Sequence, residues 1–95
     1  MYLYEKGRIY LNDEGGNMIA EVTYTEDQPN VYIIDHTFVD PVLRGQGIAS
    51  KLVAEVVLKA RREGKKIIPL CPFAKREFEN KSEYHDIWYG HEHHK

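Results

Sequence analysis

Residues 31–71 read VYIIDHTFVDPVLRGQGIASKLVAEVVLKARREGKKIIPLC, and the change of period inside this stretch decides the fold. Val31–Val39 is rich in β-branched and aromatic residues and reads as a strand. Pro41 suits a connection better than a central strand. From Ile48 onward, apolar residues fall at 48, 49, 52, 53, 56, 57 and 60, while Lys51, Glu55, Lys59 and Arg61 lie largely off that line. Offsets of three and four make one stripe along a helix, Ile48–Arg62. Burying the stripe against a sheet contributes roughly 10 kcal/mol gross, before conformational entropy is charged. Gly64 is placed to end the helix, and Arg61, Arg62, Lys65 and Lys66 suit its negative dipole end. Ile67–Cys71 then reads as a second strand, parallel to the first. Pro69 lacks the donor that a ladder needs, so a bulge or an early splay is expected there.

Outward from this unit, Arg8–Leu11 and Met18–Thr25 read as two strands across the turn-forming NDEGGN, residues 12–17. EDQP supplies a further turn. Phe73–Asn80 reads as a short helix and Tyr84–Tyr89 as an aromatic closing segment. The expected architecture is α/β with a mixed (α+β) sheet: antiparallel N-terminal strands, a strand–long helix–strand parallel crossover, and a short C-terminal helix. Ninety-five residues with a 42% hydrophobic share suit one domain over 1–90, with 91–95 as a frayed histidine-containing tail. A single cysteine excludes an internal disulfide framework. No apolar run is long enough to span a bilayer, and a cytoplasmic address is the expectation. A formal charge of −2 gives no whole-chain attraction to nucleic acid, and RREGKK has an ordinary reading as a solvated helix end.

The turn DPVLRGQG carries the chemistry. Gly45 and Gly47 permit unusual dihedrals where a helix begins. The unpaired amides from about Gly47 to Ser50 point along the positive end of the helix dipole, with Arg44 or Lys51 able to add charge. Such a turn can bind a diphosphate without a metal, and it can equally be a plain tight connection. It matches neither GxGxxG nor GxxxxGK[ST], so the residues alone reach "anion site" and no further.

RGQGIA resembles the acetyl-CoA signature of the GNAT superfamily, (Gln/Arg)-x-x-Gly-x-(Gly/Ala), with Arg44, Gly47 and Ala49 in its three places. Together with HT at 36–37 and C-x-F-A-K at 71–75, it resembles the very short, stand-alone GNAT-like family of N-acetyltransferases. That resemblance implies acetyl-CoA or coenzyme A as cofactor. The amides of Arg44, Gly45, Gln46, Gly47, Ile48, Ala49 and Ser50 would wrap the pyrophosphate. It also implies a splay between the strands ending near Val39 and beginning near Ile67, with amides near Phe38, Val39 and Asp40 holding the thioester carbonyl. Longer family members place two helices between their first two strands. NDEGGN has no room for them, so the acceptor side should be open or completed by another molecule.

Three residues are candidates for catalysis. Cys71 precedes a helix, where it is either core filling or an acyl acceptor or proton donor to the CoA thiolate. His36 is the candidate general base. Regular alternation puts Ile34, His36 and Phe38 on one sheet face, and Asp35, Thr37 and Val39 on the other. Tyr84 resembles the tyrosine that protonates the CoA sulfur in the superfamily, while His85 and Asp86 suit a bracing role. Phe73 and Phe78 read as core or cofactor-pocket walls, and Lys75 is either a phosphate contact or a solvated helical lysine. His91, His93 and His94 suit a solvated tail better than a metal site. The expected activity is acetyl transfer from CoA to an unidentified small-molecule or protein amine, in a monomer or homodimer. The competing expectation is a non-catalytic CoA-binding or protein-interaction module.

Overall fold

The computed structural model describes residues 2–90. Five strands form one sheet in sequential order: β1 (Leu3–Glu5), β2 (Arg8–Asn12), β3 (Met18–Gln28), β4 (Val31–Val39) and β5 (Lys66–Pro69). Pairing is antiparallel through β4 and parallel between β4 and β5. The crossover between β4 and β5 is helix α1 (Ile48–Glu63), and α2 (Pro72–Asn80) follows β5. Two 3₁₀ segments, Pro41–Leu43 and Ser82–Ile87, complete the elements among the described residues. The mixed sheet, the long crossover helix and the short terminal helix are those expected from the sequence. Strand β1 was not expected: its three residues are too few to carry a period, and pairing with β2 holds it.

The apolar stripe of α1 packs as its spacing requires. Leu52, Val53, Val56 and Ala60 are fully buried against Ile9, Ala20, Val22 and Ile34 of the sheet. Each such aliphatic side chain contributes about 1.5–3 kcal/mol relative to exposure. The helix stops at Gly64, whose φ of 71° lets Lys65 N–H reach back to the Ala60 carbonyl at 2.8 Å. Strand β5 ends at Pro69, opposite Ile34. Beyond it, the amides of Leu70 and Cys71 both donate to the Ile34 carbonyl, at 3.0 and 3.1 Å, and the two strands part. Early splaying is thus how the strand accommodates Pro69. On the outer edge, Trp88 bridges Ile67, and Tyr89 N–H donates to the Ile67 carbonyl.

Regular alternation along β4 does not hold. His36 pairs with Thr23 and Ile34 with Tyr24, so Asp35 is an inserted residue. Its carboxylate accepts from the Thr23 hydroxyl at 2.5 Å. The bulge reverses the parity of everything after it. Thr37 and Val39 pair with the buried Val22 and Ala20 and share their helix-covered face with Ile34. His36 and Phe38, paired with Thr23 and Glu21, turn to the opposite face. Arg8, Glu21, Glu5 and Tyr10 form a half-exposed hydrogen-bonded network on that face.

At the far end of α1, Glu63 accepts from Lys59 Nζ at 2.7 Å and from the Tyr32 hydroxyl. The Lys59 ammonium first, then the Tyr32 hydroxyl, holds the Glu63 carboxyl down at about 2. A depressed carboxyl stabilises the fold above its unfolded value, and that contribution disappears as pH falls through the folded one. Stability should therefore decline as pH drops from about 4.5 towards 2. Melting temperatures of Glu63→Gln across that window should fall less steeply than those of the wild type, and parallel curves would contradict this.

Candidate active site

The site is built at the join of β4 and α1, and local hydrogen bonding sets its shape. Asp40 N–H continues the sheet by donating to the Ile19 carbonyl at 2.8 Å, and its carboxylate accepts from Val42 N–H at 3.0 Å, capping the 3₁₀ turn. Gly45 and Gly47 follow with φ of 86° and 75°, a left-handed backbone that disfavours any side chain. A Cβ on either would meet nothing within 4 Å, so their need is conformational and their outer side is open.

Gly47 is the N-cap of α1 and offers no side-chain acceptor, and the first turn carries no acidic residue. The first intrahelical bond runs from Lys51 N–H to the Gly47 carbonyl. The amides of Ile48, Ala49 and Ser50 therefore lack intrahelical partners, at the end where the dipole is positive. Arg44 and Lys51 are exposed beside them, and neither enters an ion pair among the described residues. This end of the molecule is a set of donors and positive charge without a protein acceptor.

A cavity of about 450 Å³ opens onto those groups. Phe38, Val39, Arg44, Gly45, Gly47, Ile48, Ala49, Ser50 and Phe73 line it, nine of the residues expected from the sequence. Thr37 and Leu43 also line it and were not anticipated. Alternation explains the role of β4. Asp40 N–H faces β3, so the amides of Val39 and Thr37 face the side that β5 has left. Of the three amides expected to hold a carbonyl, Val39 is suitably turned, and that of Asp40 is already bonded to Ile19.

Other expected residues fall outside the cavity lining. Gln46 and Lys75 are exposed, the latter on α2. Cys71 is 7% exposed and serves as the N-cap of α2, its Sγ accepting from Ala74 N–H at 3.3 Å. It lies behind Thr37, whose Oγ1 is 4.0 Å from Sγ. His36 is exposed on the uncovered sheet face. Tyr84 is not brought to the site. It is buried against Phe78, with ring centroids 5.1 Å apart, and burial raises its hydroxyl pKa. Its charged neighbours include Arg61 in the last turn of α1. Thirteen residues of helix separate Arg61 from Ile48, about 20 Å at 1.5 Å per residue. The assignment of Tyr84 to the CoA sulfur is corrected accordingly: it packs the opposite end of the helix. Asp86 and His85 do brace the terminal segment, Asp86 on Arg61 at 2.7 Å and His85 Nε2 at 2.8 Å from the Phe78 carbonyl. His91, His93 and His94 lie outside the described residues, and among the described residues no cluster of His, Cys, Asp or Glu could hold a metal.

The signal that would have revealed Thr37 is faint: three successive polar residues, Asp35, His36 and Thr37, interrupt the apolar run of the strand. A bulge was needed to turn Thr37 inward, and no period announces one.

Comparison with known proteins agrees with this geometry. The GCN5-related N-acetyl-transferase family matches residues 8–87, and the chain belongs to that family. A GCN5-like protein from Staphylococcus aureus, known from a solution structure, is 39% identical over 99% of this chain and 92% of its own, with a TM-score of 0.82. An acetyltransferase from Bacillus cereus is 25% identical, covering 68% of this chain and 51% of its own, with a TM-score of 0.58. A GNAT family N-acetyltransferase from Escherichia coli, solved in complex with CoA, shares the fold at 22% identity and a TM-score of 0.56, over 64% of this chain and 38% of its own. The chain thus spans nearly all of the staphylococcal protein but only about half or less of the other two. No curated protein matches it.

Gly47→Ala tests the local backbone argument. Open space around the position leaves only the left-handed conformation to penalise, so the variant should lose about 1 kcal/mol by denaturant unfolding.

Proposed function

We propose that the cavity binds acetyl-CoA and that the protein transfers the acetyl group to an amine. The single observation that supports this reading is the convergence on one cavity of helix amides without intrahelical partners, of Arg44, which enters no ion pair among the described residues, and of the open edge of β4. Residues of the cavity suit three parts of the donor substrate. The amides of Ile48, Ala49 and Ser50 with Arg44 suit a pyrophosphate, which needs donors and positive charge. Phe73, Val39 and Ile48 suit the pantetheine arm, and Val39 N–H suits the thioester oxygen. Preorganised donors of that kind stabilise charge developing on the oxygen during attack. The CoA complex of the Escherichia coli relative supports the cofactor as a family property.

The amine approaches from the uncovered face of the sheet, where no helix among the described residues stands between it and the splay. His36 is the base on that face, removing the proton that the attacking nitrogen must lose. Cys71 stands behind Thr37 and caps a helix, which favours direct transfer from thioester to amine over an acyl-cysteine. The second reading, a CoA-binding module without turnover, draws on the same bare face: the two helices expected between the first two strands of longer family members have no counterpart among the described residues.

Calorimetry with acetyl-CoA should show saturable binding. Arg44→Gln should weaken it roughly tenfold, the worth of one charge-assisted hydrogen bond. His36→Ala should bind as the wild type does while kcat falls about 100-fold, and unchanged turnover would reject His36 as the base. Saturable binding with no transfer across a panel of amines and peptides would favour the module.

A further inference from the structure

From the contact between the cavity wall and the N-cap of α2, we infer that Thr37 is a catalytic residue that passes a proton from Cys71 to the departing CoA thiolate. The inference rests on the acetyl-CoA reading of the cavity and adds the path of the second proton.

Three observations build it. Thr37 lines the cavity and Cys71 does not, so the hydroxyl is the group of the pair that a bound thioester meets. The Cys71 Sγ accepts from Ala74 N–H at 3.3 Å, which leaves its own proton to be given away. The partner in reach is Thr37 Oγ1, at 4.0 Å. With one of its two lone pairs accepting the thiol proton, the threonine hydroxyl keeps its own hydrogen to aim into the cavity.

Either atom of the Thr37–Cys71 pair can donate, and the proposed relay uses one polarity: from Ala74 N–H to Sγ, from S–H to Oγ1, and from O–H to the sulfur of the leaving group. Such a chain suits acetyl transfer. When the tetrahedral adduct collapses, the carbon–sulfur bond breaks and its electron pair goes to the CoA sulfur. That sulfur takes the Thr37 proton as Thr37 takes the Cys71 proton. Cys71 is left as a thiolate on the Ala74 amide, and water restores its proton after product leaves. The proton lost by the nitrogen leaves separately, on the uncovered face, so the sum is amine plus acetyl-CoA giving amide plus CoA thiol. Cys71 acts through Thr37 and is its positioning partner and proton reserve.

A single cysteine in the chain makes the test clean, because the infrared S–H stretch has one source. In the free protein, Thr37→Val should move that band to higher frequency, and Thr37→Ser should leave it near the wild-type position. Superimposable wild-type and Thr37→Val bands would overturn the contact. In steady-state transfer, Thr37→Val should keep acetyl-CoA affinity within about twofold and lower kcat about 100-fold, with most of the rate restored by Thr37→Ser. Adding Cys71→Ala to Thr37→Val should cost little more than Thr37→Val alone, as expected for groups acting in series. Wild-type kcat in Thr37→Val, or fully multiplicative losses in the double variant, would overturn the relay while leaving cofactor binding intact. Tight acetyl-CoA binding without transfer by the wild type to any amine would overturn it as well. Absence of acetyl-CoA binding by the wild type would instead overturn the functional reading itself, and the S–H band would still report whether the contact exists.

Discussion

Burial of the α1 stripe against β2, β3 and β4 is the constraint from which the site's geometry follows. Leu52, Val53, Val56 and Ala60 cannot all reach the sheet unless the helix lies at one rotation and one height. That placement carries its first turn to the end of β4, where the strand has no parallel partner. The donors of Ile48, Ala49 and Ser50 are thus aimed by packing several residues away rather than by any contact of their own. A glycine N-cap leaves them unsatisfied, and the stability of the core compensates for a cap that a serine or aspartate would have supplied locally.

The second requirement is that β4 and β5 separate. Proline removes one ladder donor, and two successive amides then converge on the Ile34 carbonyl, ending the parallel pairing. Past this point β4 keeps β3 on one side and faces the cavity on the other. The bulge at Asp35 acts on the same few residues. It brings Thr37 and Val39 inward over the helix side and sends His36 outward. One inserted residue therefore divides the strand between a wall of the cavity, which includes Thr37 and Val39, and the opposite sheet face, which carries His36.

Charge is distributed unevenly between the ends of α1. At the C-terminal end, Lys59, Lys65, Arg61 and their acidic partners Glu63, Glu26 and Asp86 neutralise one another. At the N-terminal end, Arg44 and Lys51 remain unpaired among the described residues, next to bare amides. A chain with a net charge of −2 thus presents a local positive end suited to an anion, which whole-chain charge would not suggest.

What the sequence determined on its own is what depends on local period and local chemistry. The helix from Ile48 to its glycine stop, the strand before it and the glycine turn with its first-turn amides are legible because each rests on neighbours within a turn or two, whereas Phe38 and Val39 entered through the family resemblance. Tertiary structure alone decided the rest. Strand β1 exists only through its pairing. The inward turn of Thr37 depends on a bulge defined by register against β3. The position of Cys71 behind Thr37 depends on where β5 departs. Tyr84 lies at the far end of α1 because the closing segment packs there, against Phe78 and beside Arg61. These are relations between residues distant in the chain, and a period can place a side chain on a face without saying what stands opposite it.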